Sequence, residues 1–189
     1  FLEPGDLVGE IGCGPGRATA YLDQKGFDVV AIDLSLTSIG LAKKRASRSD
    51  FIQCTNLNLP FRDAGFDAII SDGVIHHTPD AERAFSENCR VLKAGGNMYL
   101  GVYNRQGYYY YFYTYLGKPV RWLEKRRWGR AMVYSTLLPV YYLAHLIKSR
   151  GKRTWQGAKN FFDDYIITPQ ASFHTRQQIE TWGKERGLR

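Results

Sequence analysis

Three features of this sequence predict a single α/β domain, a mainly parallel, doubly wound sheet with helices on both faces. Short apolar runs with strand character alternate with helical periodicity through residues 1–104. The first strand-to-helix junction is broken by three glycines, Gly12, Gly14 and Gly16, which mark a tight turn. The chain has 189 residues, 44% of them hydrophobic, enough for one sizeable core and too apolar for a disordered chain.

The opening strand, Leu7 to Ile11, runs into the glycines ahead of a helix expected over Gly16 to Lys25. Glycine permits positive φ and lets a ligand approach the backbone, and Pro15 stands where a missing N–H is tolerated. A dinucleotide fingerprint places glycines first, third and sixth. Counted from Gly12, the sixth position is Arg17. Glu10 precedes the glycines instead, and a carboxylate there disfavours a pyrophosphate and favours a cation. Asp33 closes the second strand, Val29 to Asp33, 21 positions past Gly12, near the spacing of about 20 at which an acid grips ribose hydroxyls. The pair points to a ribose-bearing, positively charged ligand beyond the strand ends.

Four ordered segments then resemble one family, the class I S-adenosylmethionine-dependent methyltransferases, in the branch similar to the ubiquinone/menaquinone C-methylases (type 11). Glu10-Ile11-Gly12-Cys13-Gly14-Pro15-Gly16 is similar to its first motif and Ile32-Asp33 to its second. Asn58-Leu59-Pro60-Phe61 with Gly65-Phe66-Asp67 resembles the third region, and Val91-Leu92-Lys93-Ala94-Gly95-Gly96 the turn before the fifth strand. The likeness runs continuously over residues 1–104 and more weakly over His174 to Leu188. It implies a Rossmann-like fold, methyl transfer and S-adenosyl-L-methionine as cofactor. Carried over residue by residue, it places Glu10, Gly12, Gly14 and Gly16 around the methionine end and Thr19 within reach of the cofactor. Asp33 with Leu34 falls at the ribose, Thr55 and Asn56 on the adenine side, and Ser71 at the edge of the methyl site. One departure stands out: Thr55 occupies a position where the family commonly has Asp, with Asn56 beside it, and either can accept a hydrogen bond.

Farther along, Ser35 starts a helix expected to reach about Arg48, Phe51 to Cys54 is a third strand, and Phe66 to Ser71 a fourth. Residues 71–77, at its carboxyl end, should border cofactor and substrate, and among them His76 and His77 are an adjacent pair with a useful pKa range. Aligning nucleophile and methyl supplies much of the catalysis. A base is needed only if the acceptor must lose a proton. His76 or His77 is the candidate for that role, against the alternative that both cap or pack on the next helix; without a nearby third ligand they make no metal site. A helix over Asp80 to Leu92 and a fifth strand, Asn97 to Tyr103, complete the core.

Composition changes at Arg105. Residues 1–104 carry 10 Lys/Arg against 13 Asp/Glu, and residues 105–189 carry 16 against 5. Tyr108 to Tyr115 is nearly all aromatic, and basic runs flank an apolar stretch, Met132 to Ile147, too short and polar to span a bilayer. We expect a core over 1–104, a helical lid or insertion over 105–160, and a return loop with a C-terminal core helix over 161–189. The insertion suits a lid over a small or lipid-linked acceptor, a lid that also touches a membrane surface through 105–153, or RNA, with aromatics stacking on bases. These readings rank in that order, because the tyrosines form a block and not a dispersed stacking pattern. A non-catalytic partner-binding domain is the remaining alternative. Three cysteines without metal-type spacing fit a reducing, cytoplasmic setting. The last two strands of the family's sheet are expected to be missing from this chain.

Overall fold

A computed structural model of the chain describes residues 2–3 and 5–188. Five parallel strands form one sheet in the order β3-β2-β1-β4-β5. They are β1 Leu7–Ile11, β2 Asp28–Asp33, β3 Asp50–Gln53, β4 Phe66–Asp72 and β5 Leu92–Gly101. Helices α1 Arg17–Gln24, α2 Leu36–Lys43 and α3 Ala81–Val91 connect them, giving the doubly wound, Rossmann-like sheet. Alternation along the strands divides the core in two. Val8, Val29, Ala31 and Ala68 pack with Leu22 of α1 and Ala42 of α2. Ile11, Ile32 and Ile69, offset by one residue, pack with Val91 and Leu92. Strand order reverses at β1, and in such sheets ligands bind beyond the carboxyl ends at that point.

Two elements differ from the sequence reading. Helix α2 stops at Lys43, short of the expected Arg48. Strand β5 begins at Leu92, paired with Phe66, and resumes at Asn97, paired with Ala68. Residues 93–96 are therefore a bulge inside the strand, with Gly95 at φ 79, where a separate turn was expected.

Contacts divide the chain into two compact units, residues 1–103 with 172–189, and residues 104–171. In the first unit α9, Arg176–Glu185, is capped by the Thr175 hydroxyl, which accepts from Gln178 N at 3.1 Å.

The second unit is helical: α4 Tyr108–Tyr111, α5 Gly117–Glu124, α6 Arg127–Met132, α7 Leu138–Lys148 and α8 Trp155–Phe162. Single π-helical turns lie at Phe112–Leu116, Val133–Leu137 and Asp163–Ile167, joining α4 to α5, joining α6 to α7 and extending α8. Each is followed within three residues by a proline, Pro119, Pro139 or Pro169. Proline lacks the N–H and crowds the carbonyl four residues back, and a wider turn absorbs both effects. At the third, Thr168 N bonds Asp163 O five residues back at 2.8 Å. Val133, Leu138, Phe162 and Ile166 form this unit's buried core. Residues 161–171, expected as a return loop, belong to this helical unit, and Phe162 and Ile166 are part of its core.

Candidate active site

The β1–α1 turn is built by backbone hydrogen bonding that only a glycine-rich segment allows. Gly12 N and Cys13 N both donate to Ile32 O, each at 2.8 Å, pinning the turn to the end of β2. Gly12 has φ 80, and a Cβ there would lie 2.4 Å from Val74 Cγ2. Gly16 has φ 77 at the start of α1, and a Cβ there would meet Ala42 Cβ at 2.6 Å. The first glycine admits the β4 loop; the third lets α1 approach α2.

Asp33 is oriented before any ligand arrives. Its Oδ2 accepts from Gly14 N at 2.9 Å and its Oδ1 from Ser35 N at 2.8 Å. Each oxygen keeps a lone pair free of these bonds. Beside it a cleft of about 230 Å³ is bordered by Gly12, Asp33, Leu34, Thr55 and Asn56, with Leu57, Val74 and His77 among the other walls. Of the residues singled out in the sequence, Gly12, Asp33, Leu34, Thr55, Asn56 and His77 line this cleft. Glu10, Gly14, Gly16, Thr19, Ser71 and His76 do not.

Residues 9–100 match the family model described as a methyltransferase domain. This segment is a methyltransferase domain. The chain is 42% identical over 104 residues to the "Probable tRNA methyltransferase 9B" of Mus musculus, a match covering 53% of this chain and 22% of that protein. It is 32% identical over 101 residues to the demethylmenaquinone methyltransferase of Renibacterium salmoninarum, covering 53% and 43%. The chain thus spans less than half the length of both. A solved SAM-dependent methyltransferase from Methanosarcina mazei superposes with a TM-score of 0.53 at 28% identity, covering 56% of each chain. That neighbour is named for its dependence on S-adenosylmethionine, so this is the ligand with which the methyltransferase domain is compared.

Its residues suit that ligand. Below the turn, Glu10 is buried on the face of β1 that packs against α1, where the Thr19 hydroxyl donates to its carboxylate. Burial pushes the Glu10 carboxyl up to about 7; the Thr19 bond opposes the shift and the nearby Asp33 charge adds to it. A positive charge nearby favours the ionised form. Thr55 Oγ1 accepts from Leu57 N at 3.2 Å, so it braces its own loop. Asn56 is buried with its Nδ2 unmatched by any described residue, a free donor at the cleft wall. Ser71 Oγ, at the end of β4, is also buried and unmatched.

His76 and His77 separate in role. They lie on a 3₁₀ turn, Ile75–His77, and His76 is buried with its ring 3.7 Å from that of Tyr103. Burial, then the charges of His77 and His174, push the His76 pKa down to about 3. Such a ring stays neutral and is a poor proton acceptor at neutral pH. His77 faces the cleft. Val74 and His77 come from residues 71–77, expected at this border; Leu57, Thr78 and Pro79 were not named as contacts, because packing between separate chain segments brings them to the cleft.

Proposed function

We propose that this chain transfers the methyl group of S-adenosylmethionine to a small, planar, apolar or lipid-linked acceptor in the cytoplasm. The observation that carries the acceptor class is the ring surface beyond β4 and β5. Tyr103 stands edge-on to His77 at 5.4 Å and is flanked by His76 and, at 5.6 Å, by Phe173. A wall of rings holds a flat apolar acceptor by burial and stacking. The similarity to demethylmenaquinone methyltransferase supports the same class.

In this reading Asp33 accepts both ribose hydroxyls with the lone pairs left by Gly14 and Ser35. Asn56 donates to a ring nitrogen of the adenine while Leu34 and Leu57 cover its faces. Ser71 meets the methionine end, and ionised Glu10 balances the cofactor's positive charge. Bound S-adenosylmethionine supplies a methyl carbon to which the acceptor's nucleophile bonds as the carbon–sulfur bond breaks, its electron pair passing to sulfur. His77 takes the acceptor's proton where it has one to lose, and His76 supports the neighbouring rings.

Supplying a radiolabelled methyl donor with a demethylated naphthoquinol, or with unmodified tRNA, tests the acceptor. Label in the quinol alone is expected. The 42% likeness to tRNA methyltransferase 9B favours a second reading, and label in tRNA, with steep salt dependence, replaces the first. Asp33→Ala removes two charge-assisted hydrogen bonds, each of order 1.5 to 3 kcal/mol. Unchanged cofactor affinity by calorimetry overturns the ribose assignment.

A further inference from the structure

We infer that the helical unit, residues 104–171, docks in the plane of an anionic phospholipid surface. Two unbroken helical runs, 108–124 and 127–148, each turn one side into the unit's core and leave an apolar side in solvent. On the longer run, Val140, Leu143 and Ile147 recur at helical spacing and are 68%, 57% and 72% exposed. The shorter run presents Tyr108, Tyr111, Tyr115, Leu116 and Trp122. Their neighbours Tyr109 and Tyr113 point inward and donate to Tyr165 O at 2.5 Å and Thr168 O at 2.9 Å.

Charge decides what meets these faces. The unit carries twelve Lys/Arg against three Asp/Glu, and Glu124 pairs with Arg130 and Asp163 with Lys159. Exposed Lys118 lies on the aromatic run and Lys125 just after it, and exposed Lys148 and Lys152 end and follow the aliphatic one. An excess of this size repels the same unit of a second copy and attracts a polyanion. Between polyanions, the aliphatic side chains choose: Val140, Leu143 and Ile147 gain nothing from stacked bases but partition into acyl chains. Tyrosine and tryptophan with lysine and arginine suit the headgroup boundary. Among the described residues no helix is long and apolar enough to cross a membrane, so the contact is in-plane.

Sedimentation of the full chain with phosphatidylcholine vesicles containing about 30% phosphatidylglycerol tests the inference. Binding at least about tenfold tighter than to pure phosphatidylcholine is expected, and it weakens with salt. The triple variant V140S/L143S/I147S, all exposed positions, should bind about tenfold more weakly while keeping its circular dichroism and its S-adenosylhomocysteine affinity. K148E/K152E should lose about fivefold or more per charge, a second readout that leaves the apolar face intact. Absence of vesicle binding overturns the inference. So does parental binding by the triple variant with displacement of vesicles by tRNA, which assigns the surface to nucleic acid. A parental dimer that the triple variant dissolves assigns it to a second copy.

Discussion

Asn56 sits at the cleft wall with a buried amide nitrogen that no described residue satisfies. A buried unmatched donor costs the empty protein about 1 to 3 kcal/mol, a cost that a ligand acceptor removes. Asn56→Ala should therefore move two quantities in opposite directions: the ligand-free melting temperature holds or rises, while cofactor affinity drops by about tenfold. Thermal melts with and without S-adenosylhomocysteine check this, and parallel losses in both would refute it. Glu10 gives a pH signature. Its carboxyl, ordinarily at 4.5, stands at about 7 in the folded protein, so between those values the folded state keeps a proton that the unfolded chain releases. The stability this contributes is complete below about pH 4.5 and gone above about pH 7. A cationic cofactor prefers the ionised form, so its affinity should rise as pH increases through 7 and its binding should release a proton. Calorimetry near pH 6 in two buffers of different ionisation heat measures that release, and Glu10→Gln should abolish it.

At the scale of elements, α3 holds the loop between β3 and β4. Arg90 donates to Leu59 O at 3.0 Å and Phe61 O at 2.8 Å, pairs with Asp63 and with Glu87, and Glu87 in turn accepts from Leu59 N at 2.7 Å. Arg83 Nε adds a bond to Leu57 O at 3.0 Å. Arg90→Ala should cost about 2 to 3 kcal/mol and raise hydrogen exchange across residues 57–63. It should also weaken cofactor binding, since Leu57 borders the cleft. Exchange unchanged in that loop would argue against the clamp. Elements like these also mark how far the sequence could be read. The turn after β1, the acid closing β2 and the cap of α9 were legible because each is a local demand on backbone geometry or hydrogen bonding. The cleft's far wall was legible only in part: the loop after β4, with Val74, follows from where such sheets bind ligands, whereas Leu57 and Pro79 arrive there by packing between segments. The three π turns were hidden for a related reason: a search at the α-helical period has no place for a five-residue turn, although the prolines that follow were in plain view. Gly95 and Gly96 were read as a turn because nothing in the sequence shows that pairing resumes with the same neighbouring strand.

On the scale of the molecule, each unit has its own buried core, and the residues lining the cleft all belong to the first. Phe162, almost wholly buried, anchors the second with Val133 and Leu138. Phe162→Ala should destabilise that unit by about 3 to 5 kcal/mol, while S-adenosylhomocysteine affinity stays within about twofold, since Phe162 and the cleft residues share no core. Affinity falling in step with helix content would show that the cores depend on each other. The charge division follows the same boundary: the helical unit carries twelve Lys/Arg against three Asp/Glu while the rest of the chain is near balance, so the interactions it makes should be far more salt-sensitive than cofactor uptake.

Where the chain leaves the sheet and where it comes back, the two ends are stitched together: His174 N bonds Tyr103 O at 2.9 Å, and Ser172 N bonds His76 O at 2.8 Å. Such a junction works as a socket. Whatever cassette is plugged in between, the glycine turn and the Asp33 carboxylate receive the same mechanical support, so the part that meets the outside world can be exchanged by evolution or by grafting while the methyl-donor seat stays as it is.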